Sequence, residues 1–422
     1  TGENSYGFRL ESYNPAMPLV IDPALHFSTY LGGGSGDYVN DIQYLIPGFA
    51  VTGTTESADF PVFSGYDTSH NGSKDAFVSK FDGNGNLLVS TFLGGSSDDL
   101  GKGLYCDSNY TWVTGSTESI DYPTSSGAYK SNNQGMKDVF ATCLNAAGSS
   151  LVYSTYIGGT YSDFPNGIAG NSAFIYICGS TSSGDFPNYS AGGPPFQATI
   201  KGNADAFVFC FQRTNLSYPY YSTFIGGSHY EEATDIKVAA YDRAIVVGLT
   251  GGRFESGDWF PTTAGAYQTT FGGGNWDGFV TKLSTFGTSA DYSTFIGGNS
   301  QDYCESVALY NSRACVTGNT FSSNFPTLNA YQTSRSGTTS AFVTKFNFNA
   351  DALEYSSYLG GAGQDYGKAI ACDFYGGLHI GGETNSYDFP TRNAYQGSRS
   401  SGTDGFVAKI DPFESGDSSL LF

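Results

Sequence analysis

Positively charged residues are scarce in this sequence: Lys and Arg number 19 against 39 Asp and Glu, giving a formal net charge of −20. A surface this acidic repels nucleic-acid phosphates and anionic lipid headgroups, so we expect neither as a partner. No apolar run approaches the roughly 18 residues of a membrane-spanning helix. No basic segment followed by an apolar one resembles a signal peptide. The sequence therefore predicts no membrane insertion.

Histidine and the common catalytic motifs are equally rare. No nucleophile elbow and no HExxH motif is present. A glycosidase needs only two carboxylates, but nothing singles out such a pair among the 39 acidic residues. Four histidines occur, at positions that are not equivalent from one repeat to the next: His26, His70, His229 and His379. We therefore expect a protein without enzymatic activity.

Glycine and aromatic residues are abundant instead. The chain has 57 Gly, 31 Tyr and 33 Phe, while charged residues make up only 14%. This composition favours strands and tight turns over long helices. No stretch has the 3.6-residue apolar period of a substantial helix. The sequence therefore predicts an all-β protein.

A unit of five short motifs occurs six times along the chain. An outer segment resembling S-T-Φ-Φ-G-G, where Φ is apolar or aromatic, starts at Ser28, Ser90, Ser154, Ser222, Ser293 and Ser356. Four places after its second glycine comes an acidic residue: Asp37, Asp99, Asp163, Glu231, Asp302 and Asp365. A VTG-like segment starts at Ala50, Trp112, Tyr176, Val246, Cys315 and His379. An aromatic residue precedes proline at Phe60, Tyr122, Phe186, Phe260, Phe325 and Phe389. A segment resembling Asp-Ala-Phe-Val starts at Asp75, Asp138, Asp205, Asp277, Ser340 and Asp404.

Each copy offers four strand-like segments separated by turn residues. In the second copy the predicted strands, from the innermost to the outermost, are Gly103–Cys106, Thr111–Gly115, Val139–Cys143 and Leu151–Ile157. Four antiparallel strands repeated radially are typical of a β-propeller. We therefore predict a six-bladed β-propeller of four-stranded antiparallel blades.

The two ends of the chain suggest how the ring closes. His26–Leu31 resembles an outer strand without a preceding partner, and Gly405–Ile410 is a third strand near the end of the chain. The N-terminal strand is therefore expected to complete the last blade. The predicted organisation is an N-terminal extension, 1–26, and a propeller, 27–422. The approximate blades are 34–95, 96–159, 160–227, 228–298, 299–361, and 362–422 together with 27–33.

The repeated motifs resemble the SBBP-type β-propeller repeat, whose typical form is close to DAFVSKF, NGNLL, STFLGG, an acidic residue and VTGST. The match spans roughly residues 27–410. The segment Tyr13–Asp22 also looks like the connector that precedes such repeats in large secreted surface proteins. The resemblance implies an extracellular or cell-surface location, but it implies no activity, because propellers host many functions.

The six repeated acidic residues allow two interpretations. A ring of carboxylates at one mouth of the channel could hold Ca²⁺, which takes oxygen ligands. Alternatively, each carboxylate accepts backbone N–H groups in its own glycine-rich turn. The aromatic-proline pairs could bind carbohydrate, although their regular repetition favours packing between blades.

Cysteines and sequons supply further candidate sites. Seven cysteines exclude complete pairing within the chain, and Cys304 and Cys315 on neighbouring predicted strands are the best disulfide candidates. Most of the others are expected to be small buried apolar residues. Four N-x-S/T sequons in predicted turns are glycosylation candidates: Asn71, Asn109, Asn188 and Asn215.

The N-terminal extension suggests self-association. Its segment with Tyr6, Phe8 and Leu10 alternates apolar and polar residues, as a half-buried strand does. The chain begins at Thr1, which suggests a piece of a longer precursor. Such a strand can add to a sheet edge of another copy and build a filament, or it can fold back on its own propeller. We expect a secreted structural or adhesive surface protein that associates with itself or other surface proteins. The alternative is a ligand-binding propeller that recognises glycans or Ca²⁺ on one face.

Overall fold

The computed structural model describes residues 27–252 and 260–422. Within these ranges, antiparallel strands form six sheets that follow one another along the chain. Inner strands of consecutive sheets pack against each other, from the first sheet to the sixth. The predicted all-β six-bladed propeller is therefore confirmed.

The first three blades each run from the innermost strand outwards. Blade one contains β1 (Asp37–Leu45), β2 (Gly48–Thr55), β3 (Asp75–Asp82) and β4 (Leu87–Leu93). Blade two contains β5 (Asp99–Cys106), β6 (Tyr110–Thr117), β7 (Asp138–Asn145) and β8 (Leu151–Ile157). Blade three contains β9 (Asp163–Gly170), β10 (Phe174–Thr181), the short edge strand β11 (Tyr189–Ser190), β12 (Asp205–Gln212) and β13 (Asn215–Ile225).

The last three blades follow the same plan until the final strand. Blade four contains β14 (Glu231–Ala239), β15 (Arg243–Gly251), β16 (Trp276–Leu283) and β17 (Ala290–Ile296). Blade five contains β18 (Asp302–Tyr310), β19 (Arg313–Thr320), β20 (Ser340–Phe346) and β21 (Leu353–Leu359). Blade six contains only β22 (Asp365–Cys372), β23 (Leu378–Thr384) and β24 (Asp404–Ile410), followed by a 3-10 helix at Gly416–Ser419.

The middle strands of blades two to five are buried on both faces because each of these blades lies between two others. Val139, Phe140 and Ala141 in β7, for example, are all completely buried. A continuous apolar run is what such a strand requires. The predicted strands of the second copy all lie within β5 to β8, in the predicted spatial order.

The aromatic residue of each aromatic-proline pair packs on the third strand of its own blade. The Phe60 ring lies 4.5 Å from that of Phe77, and the Tyr122 ring lies 4.5 Å from that of Phe140. The remaining blades repeat this contact. The rings also belong to hydrophobic clusters shared with the preceding blade, as Tyr122 does with Ala76 and Val78 of blade one, so the predicted packing between blades accompanies the contact within the blade.

The predicted pairing of the N-terminal strand with blade six is not formed in the described residues, and closure of the ring by this strand stays a prediction. Residues 27–33 form no strand, and the sixth sheet has three strands. The Phe27 ring instead stacks on Phe49 of blade one, with 5.7 Å between centroids. The end of the chain covers one end of β24, where the Lys409 amide donates to the Phe422 carbonyl at 2.7 Å. His26 lies outside the described residues.

Among the described residues, no helix is long and apolar enough to cross a membrane.

Candidate functional site

Each repeated acidic residue fastens the turn that leads into its own blade. The Glu231 carboxylate accepts the Gly227 amide at 2.9 Å and the Thr250 hydroxyl at 3.0 Å. The Asp99 carboxylate likewise accepts the Gly95 amide at 2.7 Å and the Ser119 hydroxyl at 2.8 Å. The other members make the same contact with a glycine amide: Asp37, Asp163, Asp302 and Asp365. This geometry favours the interpretation in which each carboxylate accepts hydrogen bonds within its own turn.

Burial also makes Asp163 and Glu231 poor ligands for a cation. Desolvation raises the pKa of Asp163 to about 7 and that of Glu231 to about 8. A carboxyl group that keeps its proton near neutral pH offers little charge to Ca²⁺. In the described ranges, no three His, Cys, Asp or Glu side chains lie close enough to hold a metal ion.

A second ring of side chains lies deeper in the central channel and was missed from the sequence. Each inner strand carries a β-bulge three residues after the acidic residue, and a bulge re-aims the side chain of its extra residue. The bulge residues are Asn40, Lys102, Asn166, Thr234, Glu305 and Lys368. Five of them, with Glu232, line a cavity of about 270 Å³. The available signal was that this position of the inner strand is Asn, Lys, Thr or Glu in every copy.

Three of the bulge residues donate hydrogen bonds to backbone carbonyls of the next blade. The Asn40 amide donates to the Gly101 carbonyl at 2.7 Å, and the Thr234 hydroxyl donates to the Cys304 carbonyl at 2.8 Å. The Asn166 amide donates to the Ala233 carbonyl at 2.9 Å. These contacts tie neighbouring inner strands together, so half of the ring serves the fold.

The charged bulge residues come from blades two, five and six. Lys368 of blade six and Lys102 of blade two are exposed, while Glu305 of blade five is partly buried. Burial raises the pKa of Glu305, and Lys368 partly offsets this effect. The channel is therefore polar and has no strong net charge at this level.

The larger cavity lies between blades two and three, with a volume of about 470 Å³. Tyr105, Tyr110 and Trp112 supply aromatic surface. At its edge the Arg213 guanidinium binds the Asp107 carboxylate at 2.6 Å. Trp112 is 2% exposed, and its indole Nε1 has no hydrogen-bond partner. The cavity thus combines aromatic faces with donors and an acceptor.

Blades six and one each expose an apolar residue whose equivalent in another blade is buried. Val407 on β24 is 70% exposed, whereas Val78 at the equivalent position of β3 is 1% exposed. On β1, Ile42 is 63% exposed, whereas its equivalent Ile236 on β14 is completely buried. We call these two exposed faces the seam.

The structure does not bring the two predicted disulfide partners together. Cys304 lies opposite Gly318 across the β18–β19 pair, and Cys315 lies opposite Ala308. All seven cysteines are free, and six of them are buried. The proposed Cys304–Cys315 bond is therefore wrong, because the register separates the two thiols along the strands.

The remaining predicted residues are placed as follows. Asn71, Asn109 and Asn215 are exposed, while Asn188 is half-buried and its amide donates to the Gln197 carbonyl at 3.0 Å. The predicted assembly strand with Tyr6, Phe8 and Leu10 lies outside the described residues.

Comparison with known proteins agrees with the fold. A family model described as the SBBP β-propeller repeat matches residues 354–390. No curated protein matches the chain.

Solved structures show similarity at low identity. Sqt1 of Chaetomium thermophilum is 13% identical with a TM-score of 0.40, over 93% of this chain and 87% of that one. The Neurospora crassa Pan2 WD40 domain is 7% identical with a TM-score of 0.37, over 82% and 86%. Kuenenia stuttgartiensis hydrazine synthase is 9% identical with a TM-score of 0.35, over 65% of this chain, which spans 59% of that one. These similar structures include both an enzyme and a WD40 domain, so they assign no activity. The sixfold repeat, the observed propeller and the matched segment together identify this chain as a six-bladed propeller that carries an SBBP β-propeller repeat.

Proposed function

We propose that this chain is a non-enzymatic structural protein of an extracellular surface, which associates with further copies by β-strand addition. One observation carries the proposal: β24 has no outer partner strand beyond the end that the C-terminal residues cover, while a spare copy of the outer-strand motif, Ser28–Gly33, is unpaired among the described residues. An open sheet edge and an unpaired strand of matching sequence are the two halves of such an interface.

The spare strand matches the open edge residue by residue. In blade one the outer strand pairs Phe92 with Phe77 and Thr91 with Val78. The same register would place Tyr30 opposite Phe406 and Thr29 opposite Val407. Tyr30 is fully exposed, whereas its equivalent Phe92 is 1% exposed. Pairing would therefore bury an aromatic ring that now faces solvent.

A second copy is the occupant that we propose, because the segment is unpaired although it is attached to blade one. Phe27 stacks on Phe49, and the Gly33 amide donates to the Asp37 carboxylate at 2.7 Å, so both ends of the segment are held against blade one. Blade one thus holds the strand with the Tyr30 ring exposed to solvent. A head-to-tail contact of this kind is heterologous, and it builds a filament when it does not close. The predicted strand with Tyr6, Phe8 and Leu10 would extend the same contact.

Cysteine cross-linking tests the proposal. In a Thr29→Cys, Val407→Cys double variant, mild oxidation should give a ladder of covalent oligomers on non-reducing gels. Each single variant is a control and should give at most dimers. A cross-link confined to the monomer would show that the strand closes its own ring and would contradict assembly.

Light scattering and negative-stain imaging supply an independent measurement. Tyr30→Asp should convert polymers to monomers, because a carboxylate replaces a ring that needs a buried site. Tyr30→Phe is the matched control and should still assemble, because Phe occupies the equivalent position in blade one. Monomers of the unmodified chain at all concentrations would also contradict the proposal.

We infer a second candidate function, glycan binding, from the cavity between blades two and three. Aromatic faces such as that of Tyr110 can stack on sugar rings, while Arg213 and Asp107 offer a donor and an acceptor at the edge. Trp112 adds a buried indole N–H without a partner. A Ca²⁺ site has no comparable cluster of ligands in the described part of the chain.

A glycan array followed by titration of each positive saccharide tests this candidate. Tyr110→Ala should abolish any binding, while Tyr218→Ala, at an exposed tyrosine outside the cavity, should leave it unchanged. An array without any positive saccharide would exclude the candidate.

A further inference from the structure

Two cysteines meet across the interface between blades five and six. Cys315 lies on β19 and is completely buried, and Cys372 ends β22 and is half-buried. Cys372 packs against the hydrophobic cluster that contains Cys315, Val343 and Ile380. The strands that carry them, β19 and β22, pack against each other. The tertiary structure therefore gives Cys315 a thiol neighbour far away in sequence, in place of Cys304.

The surroundings make the two sulfur atoms chemically different. Interaction with the Cys315 thiol lowers the pKa of Cys372, burial opposes this effect, and the Lys345 ammonium adds to it. The same interaction raises the pKa of Cys315, and burial raises it further. Asp373 beside Cys372 and Glu354 beside Cys315 oppose Lys345. Cys372 is therefore the thiol that ionises first, and it is also the one that solvent reaches.

Lys345 is held in place to act on this pair. It lies directly opposite Cys315 across the β19–β20 pair, and its side chain is 2% exposed. Its ammonium binds the Glu354 carboxylate at 3.0 Å and lies 4.0 Å from the centre of the Phe413 ring. A buried cation beside a partly exposed thiol is the environment that activates cysteine.

We propose that Cys372 and Cys315 form a thiol–disulfide exchange site whose substrate is a low-molecular-weight disulfide. The Cys372 thiolate attacks one sulfur of the small disulfide, forms a mixed disulfide and releases a small thiolate, which takes up a proton. Cys315 then gives up its proton and attacks the Cys372 sulfur, which releases the second small thiol. Two protein thiols are oxidised to one disulfide, and one small disulfide is reduced to two thiols.

The Cys315–Cys372 disulfide would attach blade six, which has the fewest strands among the described sheets, to its neighbour. Blade six has three strands, and its β24 edge is open in the described residues. A bond from Cys372 to Cys315 ties this blade covalently to the complete blade five. A cross-link between distant chain positions reduces the freedom of the unfolded chain, so thermal unfolding should move to higher temperature.

The test uses the full chain, oxidised glutathione and peptide mapping. Native protein is incubated with oxidised glutathione, free thiols are alkylated, and peptides are analysed without reduction. The expected result is one linked peptide pair containing Cys315 and Cys372, with a loss of two hydrogens. Reduction should lower the midpoint of thermal unfolding.

Three variants separate the roles of the two thiols. Cys315→Ser should leave glutathione trapped on Cys372, and Cys372→Ser should take up no glutathione at Cys315. Cys178→Ser, at a buried cysteine on β10, is the matched control and should still form the linked pair. Separate alkylation of Cys315 and Cys372 in the oxidised native chain would overturn the proposal, and this result needs no variant. Trapped glutathione on Cys372 of the unmodified chain would overturn it as well.

Discussion

Glu231 provides a sharp test of how burial controls stability, through the substitution Glu231→Gln. The carboxyl group is completely buried, and burial raises its pKa to about 8 from the usual 4.5, with Asp205 adding a smaller effect. In the unfolded chain the group ionises near its usual value. Between these two pKa values the folded chain keeps a proton that the unfolded chain has lost. The free energy of unfolding should therefore fall as pH rises from about 5 to about 8.

The expected change in the free energy of unfolding follows from the pH interval between the two pKa values. One proton difference changes the free energy of unfolding by about 1.4 kcal/mol per pH unit, so three units amount to about 4 kcal/mol. The penalty is absent below the unfolded pKa and complete above the folded one. Glutamine cannot ionise and lacks this slope. Its amide nitrogen replaces one acceptor, for either the Gly227 amide or the Thr250 hydroxyl, at a constant cost of about 1–2 kcal/mol.

Urea unfolding at pH 5, 6.5 and 8.5 measures the effect. The variant should be less stable than the original chain at pH 5 and more stable at pH 8.5. The control Glu118→Gln removes an exposed carboxylate that pairs with Lys137 at 2.8 Å, and it should not change the slope. If the free energy of unfolding changed with pH equally in Glu231→Gln and in the original chain, the reasoning would be refuted.

Two further predictions concern buried hydrogen bonds. Tyr156→Phe should lower the free energy of unfolding by about 1–3 kcal/mol, because the phenol accepts the Tyr122 amide at 2.9 Å and donates to the Ser119 carbonyl at 2.8 Å; an unchanged urea midpoint would contradict this. Asp235→Ala should cost at least about 1–3 kcal/mol, because the carboxylate accepts both the Val307 amide and the Ser306 hydroxyl of the next blade at 2.9 Å. Thermal unfolding measures the second effect, and Asp351→Ala at an exposed turn serves as its control.

Much of the fold could be predicted because the repeat determines it locally. Strands, turns and their order in blade two depend on alternating apolar residues, glycines and hairpin signals within about one copy of the repeat. The acidic residue at Glu231 and its equivalents also acts within a single turn. Its structural interpretation was therefore available from the sequence, although its pKa was not.

The candidate sites depend on contacts between copies, which no single repeat contains. The bulge that aims Lys102 into the channel shifts the register between β5 and β6 by one residue. The repeated sequence motif gives no sign of this shift. The cavity at Trp112 exists because blade three lies beside blade two. From the sequence, glycans could be proposed only as a class of ligand, and the residues that would bind them could not be named.

By itself, the sequence determined the number of blades and the strands within each one, because these follow from short-range patterns repeated six times. The tertiary structure alone decided which distant residues meet. It replaced Cys304 with Cys372 as the neighbour of Cys315, since the strand register separates one thiol and the packing of blade six delivers the other. It also left Ser28–Gly33 without a strand partner on β24 in the described residues, although Phe27 packs on Phe49 of blade one as the equivalent Tyr153 packs on Phe211 of blade three.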